Sequence, residues 1–158
     1  MNLYLTLKFI HIVSSVVLVG TGFGSAYYMY FANRSNCVRT QHHVARLVVK
    51  ADWWFTTPAI IIQPATGFAM AFLAGWPIST PWIAASLFLY LFAGACWLPV
   101  LWLQLRMAET SEMCVRQSYD LPDSYWHHMR YWERLGYPAF IAMLLVFYLM
   151  VAKPDISL

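Results

Sequence analysis

LYLTLKFIHIVSSVVLVGTGFGSAYYMYF, residues 3–31, decides how the rest of the chain is read. Lys8 and His11 are its only basic side chains, and it holds no acidic one. A membrane-crossing helix needs about 20 mostly apolar residues, and this run exceeds that length. Three more runs of the same character follow at about residues 53–76, 81–103 and 135–152. Inside lipid every backbone N–H and C=O must be bonded within the protein. The expectation is therefore an all-α, integral membrane four-helix bundle forming one domain over residues 1–158.

Composition agrees. The chain is 61% hydrophobic and 11% charged, against roughly 45–50% and about 25% in soluble domains. Aromatic residues make up 18%, including 8 Trp and 10 Tyr, side chains that favour the membrane–water boundary. The net charge of +3 comes from basic residues near span ends. They form no patch interleaved with base-stacking aromatics, so their partner is the lipid bilayer and not nucleic acid. Three cysteines make no disulfide framework. The first run is far longer than the roughly 7–15 residues of a signal-peptide core, so it is read as a retained span.

The connecting segments are unequal. Residues 33–50 and 104–134 carry Arg34, Arg39, Arg46, Lys50, Arg106, Arg116, Arg130 and Arg134. The opposite end holds the termini and the turn Gly75-Trp76-Pro77-Ile78-Ser79, with Lys8 and Lys153. Lys/Arg excess marks the cytoplasmic side, which places both termini in the periplasm. Cys37–Lys50 reads as an amphipathic lead-in to the second span, and Leu98–Gln117 as the third span running on out of the membrane. Leu121-Pro122-Asp123-Ser124 reads as a turn, with Ser124 as N-cap of a helix entering the fourth span. The bundle thus carries long cytoplasmic helical extensions.

An ionisable side chain inside a span is costly and marks a functional site by default. His11 lies about 12 Å inside its end of the first helix. As an imidazole it suits an axial haem iron; the other reading is a core histidine bonded to a neighbouring hydroxyl or carbonyl. Thr66, Met70, Ser86 and Tyr90 lie at similar depth on the next two spans and are the expected pocket residues. His42 with His43, and His127 with His128, lie at the cytoplasmic boundary, where at most one of each pair can face inward. They are read either as a second metal or haem site or as wet boundary histidines. Asp52 is read either as an interfacial ion pair or cap with Arg46 and Lys50, or as a quinone-site or proton-entry carboxylate; Gln63 is the alternative candidate for serving protons or quinone. Pro64 is expected to break the second span. Glu133 and Arg134 are expected to pair at the surface. GxGxxG, P-loop, CxxC, HExxH and GxSxG patterns are absent from the sequence.

The run Leu7-Lys8-Phe9-Ile10-His11-Ile12 with Gly20-Thr21-Gly22 resembles the first span of a bacterial superfamily of small four-helix membrane proteins. That superfamily includes HemJ-type protoporphyrinogen oxidases and copper-resistance D proteins. Asp52 with Phe55-Thr56-Thr57-Pro58, Pro64-Ala65-Thr66-Gly67, Trp82, and Trp97-Leu98-Pro99 resemble a related family of predicted integral membrane proteins along most of the chain. Val151-Ala152-Lys153-Pro154 is similar to the HemJ ending. The resemblance implies haem b bound through His11 in a bacterial inner (plasma) membrane. It departs from HemJ in two places: Trp82 is followed by Ile83-Ala84-Ala85-Ser86 with no lysine, and Gly136-Tyr137 stands where HemJ has Asn-Glu. The functional expectation is a haem b protein in electron transfer or redox chemistry linked to the quinone pool, as a homodimer or with a partner membrane subunit. The alternatives are a cofactor-free accessory subunit or small-solute permease and, on 8 Met and 5 His, a copper-handling protein.

Overall fold

The computed structural model describes residues 2–154. Its elements are α1 (Leu3–Arg34), α2 (Val38–Ala51), a π-helical turn (Asp52–Thr56), α3 (Thr57–Leu73), α4 (Pro81–Gln117) and α5 (Asp123–Ala152). The described residues contain no strand. Four helices are long and apolar enough to cross a membrane: α1, the run Val38–Leu73, α4 and α5. The chain is an all-α, multi-pass membrane protein with both termini at one end, which follows from four crossings.

Local chemistry sets the ends. The Asn2 side chain accepts from the Tyr4 N–H at 3.2 Å and caps α1. At the other end of α1 the Ser35 hydroxyl donates to the Ala32 carbonyl at 2.7 Å, and Asn36 turns the chain at φ 51°. Helix α3 stops at Leu73, three residues short of Trp76, because Gly75 takes φ +70° and the Trp76 N–H folds back to the Ala71 carbonyl. Pro81 opens α4, where its missing N–H is harmless.

Helix α5 differs from expectation at its start. Pro122, in extended backbone, is the N-cap, and Ser124 lies in the first turn without capping it. Pro122 accepts from the Tyr125 N–H through its carbonyl, and Asp123 places a negative charge at the helix N-terminus.

With 37 residues, α4 is roughly 55 Å long at about 1.5 Å per residue. That exceeds a hydrocarbon core of about 30 Å, so α4 and α5 run on together as a helical extension. Here α2 packs against α4 and α1. The apolar core sits in this extension end: Met29, Ala45, Val48, Val100, Leu103, Met107, Tyr125, Met129 and Trp132. Hydrogen bonds run through it. Tyr125 Oη donates to Asn33 Oδ1 at 2.8 Å, Asn33 Nδ2 to the Met129 sulfur at 3.1 Å, and Gln41 Nε2 to the Asn33 carbonyl at 3.2 Å.

Toward the termini the buried set changes character. It consists of Ser14, Leu18, Ala59, Gln63, Thr66, Ser86, Ala93, Ala142 and Val146. Lipid supplies no hydrophobic drive between helices, so small and polar residues that allow close approach hold this half. In it α1 packs on α3 and α4 on α5, while no Cα of α3 comes within 8 Å of one in α4 among the described residues. Lys153 closes the termini end, its amine 5.5 Å from the Trp82 ring centre and 5.9 Å from that of Trp76.

Candidate functional site

His11 meets α3. Its Nδ1 lies 2.8 Å from Thr66 Oγ1. That hydroxyl already donates its single proton to a carbonyl of its own helix, Ile62 at 2.6 Å or Gln63 at 3.2 Å. It can therefore only accept from the imidazole, which places the histidine proton on Nδ1 and leaves Nε2 with a free lone pair. The tautomer is thus assigned from the hydrogen-bond pattern. Gln63 Nε2 donates to the His11 backbone carbonyl at 2.7 Å, and Ser14 Oγ to the Ala59 carbonyl at 3.3 Å. These bonds fix α1 against α3 on both sides of the ring. Gly67 completes the seat: a Cβ there would stand 3.4 Å from His11 Cε1.

Pro64 does not break the helix; α3 continues through it to Leu73. Proline lacks the N–H that would bond the Ile60 carbonyl four residues back. Tyr90 Oη on α4 donates to that carbonyl at 2.6 Å, so the freed acceptor finds its donor across the α3–α4 separation. Ser86 donates to the Trp82 carbonyl of its own helix at 2.7 Å. Met70 is half-buried one turn beyond Thr66 on α3. Of the four residues expected around His11, Thr66 touches it; none of Met70, Ser86 and Tyr90 is hydrogen-bonded to it.

Asp52 and Gln63, the two alternatives for a proton or quinone residue, stand in separate surroundings. They lie eleven residues apart along one helical run, roughly 16 Å, and Gln63 belongs with His11. Asp52 is 3% exposed. Its Oδ1 accepts from Thr56 Oγ1 at 2.6 Å, and the Gln104 amide of α4 faces the same carboxylate. Among the described residues the only ion pairs are Arg106–Glu109 and Arg116–Glu112. The expected pairing of Asp52 with Arg46 or Lys50 is thus not made, and neither is Glu133 with Arg134. Arg46, Lys50 and Arg134 point into the exposed boundary instead, where charged heads stay hydrated.

One histidine of each boundary pair turns inward, as helix geometry allows. His42 Nδ1 lies 3.2 Å from Ser111 Oγ, and the His128 ring stacks edge-on to Trp102 at 5.6 Å. Ser111 and Trp102 are nine residues apart on α4, roughly 13 Å, so the two inner histidines do not converge. His43 and His127 are exposed. No group of three His, Cys, Asp or Glu side chains suited to a metal ion occurs among the described residues.

Sequence reading alone passed over Gly67 as the seat of the ring and Gln104 as the neighbour of Asp52. Gln104 carried a signal: an uncharged amide at the end of an apolar run has to find a polar partner. Gly67 carried none beyond its place after Thr66.

The family described as predicted integral membrane protein (DUF2269) matches residues 5–154. No curated protein and no solved structure matches the chain.

Proposed function

From the premise that this chain belongs to the DUF2269 family of predicted integral membrane proteins, we propose that it binds haem b through His11 and carries electrons in a bacterial plasma membrane, exchanging them with a membrane quinone. In this reading the extension end faces the cytoplasm, as its arginine excess favours, and the termini face the periplasm.

The observation that carries the reading is the His11–Thr66 hydrogen bond. Metal-bound histidines donate their second ring N–H to a fixed acceptor, which sets tautomer and ring angle. Thr66 Oγ1 is such an acceptor, and Nε2 is left as the ligand atom. Haem supplies one-electron chemistry when bound, and its potential is set by axial ligand, burial and nearby hydrogen bonds. This chain's part is to hold the ring, through Gln63, Thr66 and Gly67, and to exclude water around it. The hydroxyls of Thr66, Ser86 and Tyr90 are bonded to backbone carbonyls, so His11 would be the residue that holds the iron.

The test is the visible spectrum of the protein purified in mild detergent, oxidised and then reduced with dithionite, for wild type and His11→Ala. The expected outcome is a Soret band with reduced α and β bands in the wild type and their loss in the variant. A colourless wild type, even after haem supplementation, overturns the reading and leaves a cofactor-free membrane subunit or permease in its place.

A further inference from the structure

Asp52 and Thr56, the two ends of the π-helical turn, are each 3% exposed, while Trp53, Trp54 and Phe55 between them face outward. Such turns occur often at functional sites. Thr56 Oγ1 donates to Asp52 Oδ1 at 2.6 Å, and the Gln104 side chain faces the same carboxyl from α4. That bond length is no mark of charge, since Thr66 reaches the neutral Ile62 carbonyl at the same 2.6 Å. Gln104 is also 3% exposed, and its Oε1 is buried with no hydrogen-bond partner.

No positive charge offsets an anion here. The π turn packs on α1, α2 and α3, and α4 reaches it through Gln104. Helix α3 has no ionisable side chain. Arg46 and Lys50 of α2, Tyr27, Tyr28, Tyr30 and Arg34 of α1, and Arg106 of α4 are exposed, and among the described residues none pairs with Asp52. His42 turns to Ser111 and His11 to Thr66. A carboxyl buried in such surroundings ordinarily takes a proton instead of keeping its charge.

Hydrogen-bond counting points the same way. A carboxylate only accepts. It meets the Gln104 amide with one bond, from the N–H, and leaves Oε1 bare. A neutral acid meets the amide with two. Its O–H donates to Oε1, and its other oxygen accepts from Nε2 and, on the second lone pair, from Thr56. The terminal torsion of glutamine is broad, so a small turn brings both amide atoms to the carboxyl. One added proton thus satisfies the polar atoms of the cluster and removes the buried charge.

We propose that Asp52 carries an exchangeable proton at neutral pH, held between its carboxyl and the Gln104 amide. Trp53, Trp54 and Trp102 lie exposed beside this pair, and such aromatics mark the edge of a bilayer. Lys50, two residues before Asp52, is exposed, so the proton enters from and returns to water on the extension side. The bonded pair ties the start of the second span to the third. It stands apart from the His11 site, since Thr66 is fourteen residues further along, roughly 21 Å.

The test is the infrared spectrum of the full chain in detergent at neutral pH, with ¹³C in the side-chain carboxyl of aspartate. The expected result is a protonated-carboxyl C=O band that moves with the label, shifts down in D2O and is lost in Asp52→Asn. In Gln104→Leu the band persists and moves to higher wavenumber, because its C=O has lost the amide donor. Asparagine can pair with Gln104 by the same two bonds, so Asp52→Asn is expected to fold; should it fail to, the wild-type spectrum and Gln104→Leu decide the matter alone. Carboxylate bands only in the labelled wild type overturn the proposal. So does a C=O band that ignores D2O, or one left unmoved by Gln104→Leu.

Discussion

Thr66 determines which nitrogen His11 offers. Its hydroxyl proton goes to its own helix, so the imidazole must donate from Nδ1. Thr66→Val keeps the side-chain shape and removes the acceptor. The expected outcome in ring ¹⁵N spectra of the haem-free protein is Nδ1-protonated His11 in the wild type and mixed tautomers in the variant. Unchanged tautomer populations would show that something other than Thr66 fixes the ring. At this scale much was legible in the sequence. A histidine inside an apolar run is costly wherever it lies, and Thr66 was within reach by depth alone. The donor to Ile60 was not legible: Pro64 announces that a carbonyl is free, but only the packing of α4 shows that Tyr90 supplies the proton.

Helical elements were read well where periodicity and length decide and poorly where proline acts. Pro64 was expected to break the second span, yet the irregularity falls ahead of Pro58, at Asp52–Thr56. The physical difference is rescue. Tyr90 satisfies the carbonyl freed by Pro64, so the ladder continues; ahead of Pro58 the chain instead widens to a π turn, with the Thr57 N–H reaching back to the Asp52 carbonyl. The seam between elements at the extension end rests on Asn33, which bonds Tyr125 and Met129 of α5. Asn33→Ala leaves the Tyr125 hydroxyl buried without its acceptor. The expected loss is about 1–3 kcal/mol of stability, read as a lower Tm in detergent with α-helical circular dichroism retained below the transition. A variant as stable as wild type would show that Asn33 does not hold this seam.

Across the whole molecule, the four crossings and the paired termini followed from sequence because hydropathy is a property of long segments. The sidedness proposed from arginine excess has a direct check. Cys37 is exposed in the turn before α2, and hydrogen bonding with Thr40 holds its thiol below the usual range, which favours the reactive thiolate. In a variant keeping Cys37 as its only cysteine, a membrane-impermeant maleimide should label inverted membrane vesicles and leave intact spheroplasts unlabelled; the reverse pattern would invert the topology.

The division between an apolar core at the extension end and a small, polar one toward the termini gives the two halves opposite mutational signatures. At Met29 or Met107, both fully enclosed, truncation to alanine opens a void and costs about 2–5 kcal/mol. At Ala59, Ser86 or Ala142 enlargement does the harm, since a bulkier side chain must push two helices apart or leave its rotamer, at about 1–3 kcal/mol. A saturation scan of this chain would thus divide across the bilayer, intolerant of loss on one side and of gain on the other, and that boundary would mark where the lipid takes over from the protein as the packing partner.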